Sequence, residues 1–272
     1  MKELTLKDIQ QEGLRILKHV HTFCVENNIK YSLAYGTLIG AVRHKGFIPW
    51  DDDIDIVMPR PEFEKFCESF KSNDDFMLVS PNMGYLKFAR VCDMSRTVTK
   101  TTLPWSPYTT GIWIDVFPLD GVAESKEDFL KDIEPLHRIY KIKKRIRRGR
   151  FQKIHWSLGI KEIFNILSKR FNYRKYDYED VNAQHEAIMK KYPYDGSKYI
   201  GQLSCLDAPQ TEHHIASDFK EFTSLKFEDS DFMAIAGYDN FLRNCYGDYM
   251  QLPPVEQRIP NGESINKFYW KN

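Results

Sequence analysis

Four aspartates fall within five residues at Asp51-Asp52-Asp53-Ile54-Asp55, and a fifth, Asp115, stands between Ile114 and Val116. Carboxylates crowded this closely repel one another, and the repulsion is relieved by solvent or by a divalent cation. On a strand, Asp53 and Asp55 would share one face while Ile54 and Ile56 point into a core. Two carboxylates on one sheet edge, with Asp115 in the same apolar-Asp-apolar setting, form a seat for Mg²⁺ or Mn²⁺, hard cations that take oxygen ligands and keep positions open for substrate phosphates. The bland alternative is a solvated turn with edge charges that discourage aggregation. The apolar alternation and the upstream Gly36-Thr37 favour chemistry. Gly36 would let the backbone approach a phosphate, with Thr37 and the first amides of the next helix as donors.

These residues need elements to hold them. Thr5 reads as an N-cap, and Leu6, Ile9, Ile16, Leu17, Val20 and Phe23 recur at helical spacing until Glu26-Asn27-Asn28. Tyr31 to Tyr35 reads as a strand, Leu38 to Arg43 as a short helix, and Lys45-Gly46 as a turn. Ile54 to Met58 is a second strand, closed by Pro59-Arg60-Pro61. Phe63, Phe66, Cys67 and Phe70 mark a helix face. Further strands are expected at Phe76–Ser80, Tyr85–Val91 and Gly111–Phe117. From Ser125 to about Tyr192 the pattern is mostly helical. Beyond it come short strands around Tyr199–Cys205 and Leu225–Phe227 and a helix near Tyr238–Cys245. The expected class is α/β: a core over residues 1–124, a helical, basic insertion over 125–195 and a C-terminal region, 196–272, that completes the catalytic domain.

Strand, Gly-Thr, helix, then Asp-apolar-Asp-apolar and a later apolar-Asp-apolar resembles the nucleotidyltransferase fold of the DNA polymerase β type, with its mixed sheet. More closely, Gly36-Thr37-Leu38-Ile39-Gly40, Arg43-His44, Gly46 and Ile48-Pro49-Trp50-Asp51-Asp52-Asp53-Ile54-Asp55 resemble the signature of the LicD family of phosphocholine transferases, to which fukutin-type ribitol-phosphate transferases are related. Gly111 to Asp120 and Tyr246-Gly247-Asp248-Tyr249-Met250, followed by Leu252-Pro253-Pro254, extend the likeness. It departs after the prolines, where Glu256-Gln257-Arg258 leads to Ile259-Pro260-Asn261-Gly262 with no downstream histidine.

The resemblance implies transfer of phosphocholine, or another phospho-alcohol, from CDP-choline or another CDP-alcohol to a hydroxyl of a lipid-linked glycan or teichoic-acid precursor, releasing CMP. By that analogy Asp53, Asp55 and Asp115 hold the metal, with Asp51 or Asp52 as a further ligand. One carboxylate, Asp115 in the first instance, eases deprotonation of the acceptor. Arg43, at the end of the Gly-Thr helix, and Lys87 and Arg90, bracketing a strand, are expected phosphate contacts. Trp50, within the signature, is expected to bind substrate. Trp105, Tyr108 and Trp113 read first as packing and loop anchors, and they also offer aromatic faces of the kind that hold a quaternary ammonium.

Net charge is +1, so any attraction to polyanions must come from a local patch. One exists over residues 138–153, where Arg138, Lys141, Lys143, Lys144, Arg145, Arg147, Arg148, Arg150 and Lys153 carry no acid among them. Ile139, Ile142 and Ile146 share a helical face there, which suits an anionic membrane surface or a phosphate-rich acceptor better than nucleic acid. The scattered Cys24, Cys67, Cys92, Cys205 and Cys245 suggest neither disulfides nor a zinc cluster. With no apolar run of spanning length, the expected location is cytoplasmic, peripheral at the inner face of the cell membrane. His213-His214 is expected in an exposed turn. Two other readings remain: a nucleotidyltransferase using the same carboxylates, and a catalytically dead membrane- or nucleic-acid-binding protein. Against the second, clustered carboxylates repel phosphates unless a cation intervenes.

Overall fold

The structure, a computed structural model, describes residues 1–81, 87–99, 110–151, 154, 158–205, 209–259 and 267–272. Trp105, Tyr108, Trp156 and Lys153 lie outside the described residues, as do the side chains of Arg147, Arg148 and Arg150.

Helix α1, Leu6–Glu26, starts where Thr5 and Asp8 form a reciprocal capping box. Its buried face, with Ile16, Leu17, Val20 and Cys24, lies on the central sheet. Strand β1, Ser32–Leu33, is shorter than the apolar run predicts, because Tyr35 already opens helix α2, Tyr35–Ile39. That helix continues as a single π-helical turn, Gly40–His44, which ends at Lys45 with φ +62°. Gly40 is required there, since a Cβ would lie 2.5 Å from the Gly46 carbonyl oxygen.

Strand β2, Asp55–Pro59, runs straight into helix α3, Arg60–Ser69, with proline in its first turn. Strands β3, Phe76–Val79, β4, Ala89–Asp93, β5, Thr97–Thr99, and β6, Trp113–Val122, follow. Helices α4, Lys126–Phe151, α5, Ile160–Asn172, and α6, Tyr178–Met189, form the helical segment. Strands β7, Tyr199–Gly201, and β8, His214–Ile215, lead to a hairpin of β9, Phe222–Phe227, and β10, Ser230–Ile235. Helix α7, Tyr238–Tyr246, and strand β11, Phe268–Trp270, complete the chain.

The central sheet has seven strands. Its main path is β1-β2-β6-β4-β3, and β7, itself paired with β8, joins the far half of β6. Among the described residues of this sheet only β2 and β6 run parallel, with Asp55 opposite Asp115; the other pairings are antiparallel. Helices α1 and α3 pack together through Phe23, Phe66 and Phe70 and cover one face of the sheet. The α/β class with a mixed sheet is thus present in the chain.

The apolar face of α4 is used internally. Ile139 and Ile146 are buried in a small cluster with Tyr178 and Val181 of α6, so the isoleucine row expected to meet a membrane is covered by protein.

Candidate active site

Register assembles the site. Asp55 sits opposite Asp115 across β2 and β6, and Arg90 sits opposite Asp115 across β4 and β6, so the three side chains share the sheet face away from α1 and α3. The Arg90 guanidinium donates to Asp115 through Nε at 2.6 Å and through Nη2 at 3.4 Å, and it lies over the Trp113 ring at 4.4 Å. Trp113, two residues before Asp115, projects to the same face and meets Phe268 edge to face.

Asp53 lies in the coil just before β2 rather than on the strand. Its carboxylate still joins the group: it hydrogen-bonds with Asp51 and feels the charge of Asp115. Ligand atoms of Asp51, Asp52 and Asp53 all lie within 4.8 Å of one another. Gln10 Nε2 donates to the Asp51 carbonyl at 2.9 Å and fixes this turn to α1.

Gly36 and Thr37, in the first turn of α2, hold carboxylates. A Cβ on Gly36 would lie 2.7 Å from Asp51 Oδ2, so glycine is what allows that carboxylate its position. The buried Thr37 hydroxyl oxygen accepts the Asp55 amide at 2.9 Å, and Ala34 donates to the Asp55 carbonyl at 3.0 Å. Both bonds pin the first residue of β2.

The electrostatics are those of a frustrated acidic cluster. Burial, the neighbouring Asp53 with its hydrogen bond, and Asp52 push Asp51 up to about 8. Loss of hydration and the charges of Asp53, Asp115 and Asp51 hold Asp55 well above the usual carboxylate range, with Arg90 opposing. Asp53 is raised as well, and burial raises Asp115 against the pull of Arg90. One arginine cannot balance four such groups. A donor set of hard oxygens that is unfavourable when ionised and empty-handed fits a divalent cation.

A pH dependence follows. The folded chain keeps protons on these carboxyls that the unfolded chain has released above about pH 4, so metal-free stability should fall as pH rises from about 4 toward 8. Thermal unfolding in EDTA is expected to give a lower Tm at pH 8 than at pH 5.5, with Mg²⁺ or Mn²⁺ restoring it at pH 8. A metal-independent Tm at pH 8 would remove the cation from this site.

Other expected site residues lie elsewhere. Arg43 Nη1 donates to the carbonyls of Tyr249 and, at 3.2 Å, Gln251, tying the Gly-Thr helix to the Tyr246–Met250 block. The Trp50 ring lies beneath Arg258, whose guanidinium is 5.7 Å from its centroid and donates to Pro253. Lys87 does not join the aspartates. It is buried on the α3 side of the sheet, 3.5 Å from Glu186, in a cleft with Arg60 and Lys190. Lys87 stands in the bend that precedes β4, not on the strand that carries Arg90.

A cavity of about 260 Å³ opens beside Asp55. Tyr35, Phe117 and Tyr246 give it aromatic walls, and Glu212 gives it an acid. Glu212 is 7% exposed and fully oriented: Oε1 accepts from the Tyr35 hydroxyl at 3.0 Å, and Oε2 accepts from the Gln202 amide at 3.0 Å and lies 3.3 Å from His214 Nε2. Among the described residues no lysine or arginine pairs with it. Tyr35 takes a left-handed φ of +48°, a conformation costing on the order of 1–2 kcal/mol for a residue with a Cβ, and its hydroxyl bond and its packing on Phe117 and Phe241 hold it there.

Sequence reasoning missed this cavity. Tyr246 belongs to the C-terminal motif and so was visible, but Glu212 carried no signal. His214, expected in an exposed turn, is instead buried, with Nδ1 3.0 Å from Asn244 Nδ2. His213 is half-buried and stacks on Tyr199.

A mixed sheet bearing aspartates at matched positions of a parallel strand pair, with Gly36 and Thr37 of α2 behind them, fits the nucleotidyltransferase-like class that the sequence resembles. Residues 28–147 match the family model described as the LicD/FKTN/FKRP nucleotidyltransferase domain. The chain is 34% identical, across 96% of its length and 97% of the relative's, to the lipopolysaccharide cholinephosphotransferase LicD of Haemophilus influenzae (strain ATCC 51907 / DSM 11121 / KW20 / Rd). It belongs to the LicD family. Shorter stretches match uncharacterized proteins of Rickettsia typhi (strain ATCC VR-144 / Wilmington), 42% identical over 25% of this chain and 26% of the relative, and Rickettsia prowazekii (strain Madrid E), 55% identical over 15% and 16%.

Proposed function

We propose that this chain transfers phosphocholine from CDP-choline to a glycan hydroxyl of lipopolysaccharide, releasing CMP, with Mg²⁺ or Mn²⁺ held by Asp51, Asp53, Asp55 and Asp115. The observation that carries the reading is the shared wall: Asp55 belongs both to the carboxylate cluster and to the aromatic, acidic cavity. A trimethylammonium group is bound by aromatic faces and an anion, and the cavity supplies both beside the aspartates. The name of the near full-length Haemophilus relative supports the transferred group and the acceptor. Aromatic walls favour choline over ribitol, which needs hydrogen-bond partners along its length.

When bound, the cation would neutralise diphosphate charge and steady the departing CMP. The acceptor oxygen attacks the phosphorus that bears choline, the bond from that phosphorus to the CMP oxygen breaks, and CMP leaves with the bonding pair. Asp115, opposite Asp55 and beside Arg90, takes the hydroxyl proton. Arg90, held by Asp115 and Trp113, meets a phosphoryl oxygen. On this reading the reaction runs at the cytoplasmic face of the membrane where the acceptor is assembled; separately, no helix among the described residues is long and apolar enough to cross a membrane.

Glu212→Gln and Tyr246→Leu should each raise the KM for CDP-choline about tenfold, equivalent to about 1.4 kcal/mol of lost cation binding, and should weaken binding of the ammonium donor CDP-ethanolamine as well, while leaving CDP-ribitol, whose alcohol is uncharged, little changed. Steady-state kinetics with both donors and CDP-ribitol checks this. Equal KM values for wild type and both variants with CDP-choline would exclude the cavity as the choline site.

A further inference from the structure

Helix α5 turns an apolar stripe outward. Ile160 is 87% exposed, Phe164 73%, Leu167 46% and Phe171 64%, and steps of four, three and four residues place all four on one line along the helix. The helix is anchored from another side, where Ile166 is fully buried and α5 packs on α4. Single exposed apolar side chains are ordinary on a protein surface, but a continuous row of four large ones marks a contact surface.

The charges beside the stripe say what it meets. By helical phase Lys161 lies on one flank and Arg170 on the other. Around the end of the stripe, Lys169, Arg170, Arg174 and Lys175, together with Tyr173, Tyr176 and a single acid, Asp177, line an open cleft of about 440 Å³. Glu162 is the one acid in the helix. Two copies meeting stripe to stripe would bring these cations together, whereas an anionic bilayer complements both features: acyl chains for the stripe and phosphate headgroups for the cleft.

We propose that α5 is the membrane-docking element, lying in the plane of an anionic phospholipid surface with Ile160, Phe164, Leu167 and Phe171 inserted among the acyl chains. This replaces the isoleucine row of α4, which is covered by α6. It rests on the inner-face location proposed above and is independent of the donor.

The test is flotation of the full chain with phosphatidylcholine vesicles and with vesicles containing phosphatidylglycerol, for wild type, Phe164→Ser/Phe171→Ser and Arg174→Gln/Lys175→Gln. Wild type is expected to bind the anionic vesicles at least about tenfold more tightly than the neutral ones. The serine pair should lose at least about tenfold, as removing two buried aromatic rings from the acyl region would require, and the glutamine pair should lose most of the preference for anionic lipid. Transfer to a delipidated, water-soluble acceptor should be unchanged by either pair, so failure of the donor assay in wild type would leave the vesicle result standing. Vesicle binding equal to wild type in the serine pair, or no binding by wild type at low salt, would overturn the proposal. So would a wild-type dimer in sedimentation velocity that the serine pair dissociates, which would make the stripe an interface between copies.

Discussion

Replacing Asp55 with Asn is expected to lower phosphocholine transfer by at least about 10³-fold at saturating donor, with the fold intact. Asp55 is the residue at which the site's constraints converge. Its amide is bonded to Thr37, its carbonyl accepts Ala34, its side chain faces Asp115, and it lines the aromatic cavity. Asparagine preserves the shape and the two backbone bonds, which do not involve the side chain. It removes the charge that binds a cation and relieves repulsion from Asp53, Asp115 and Asp51. The metal-free variant should therefore melt at or above the wild-type temperature at pH 8 while its rate collapses. Such a divergence between stability and rate separates a functional carboxylate from a structural one. Single-turnover kinetics beside thermal melts checks it, and a variant retaining more than about a tenth of the wild-type rate would remove Asp55 from the chemistry.

Asp120 is expected to behave in the opposite way. It closes the Gly111–Asp120 block that contains Asp115, yet it is 1% exposed and forms a two-pronged pair with Arg60, at 2.6 Å from both Nε and Nη2. Arg60 itself is largely buried. Asp120→Asn leaves a buried guanidinium without its counter-charge and should destabilise the fold by about 3–5 kcal/mol. The pair Arg60→Met/Asp120→Leu should recover much of that loss, because a buried ion pair contributes little net stability over packed apolar groups of similar size. Urea denaturation of the two variants at pH 7.5 is the measurement; a loss under about 1 kcal/mol in the single variant would mean that water reaches Arg60.

Much of the site was legible because its residues are local. The acidic run, the Gly-Thr turn and the apolar frame around Asp115 lie within short stretches, and the apolar frames suggested strands before any pairing was known. The pairing itself was not legible: nothing in either stretch dictates that Asp55 stands opposite Asp115 in a parallel register, or that Asp53 falls just short of the strand. Lys87 and Arg90 bracket one strand in the sequence pattern, but Lys87 falls in the bend before β4. Glu212 was hidden for a different reason. It lies 177 residues from Tyr35, whose hydroxyl it accepts, and it is brought there by β7 and β8 joining the far half of β6. The isoleucines of α4 were read correctly as one face, but whether a face meets lipid or protein depends on the later helix α6 that covers it.

The central claim is that the group moved carries its phosphorus with it. CDP-choline labelled with ³²P on the choline-bearing phosphate, incubated with Mg²⁺ and acceptor glycan, tests it most directly. The label should appear in the glycan with unlabelled CMP released in equal amount, and both should vanish with EDTA or with Asp55→Asn. Labelled phosphocholine released beside a CMP-modified acceptor would show attack at the nucleoside phosphorus and make the chain a nucleotidyltransferase.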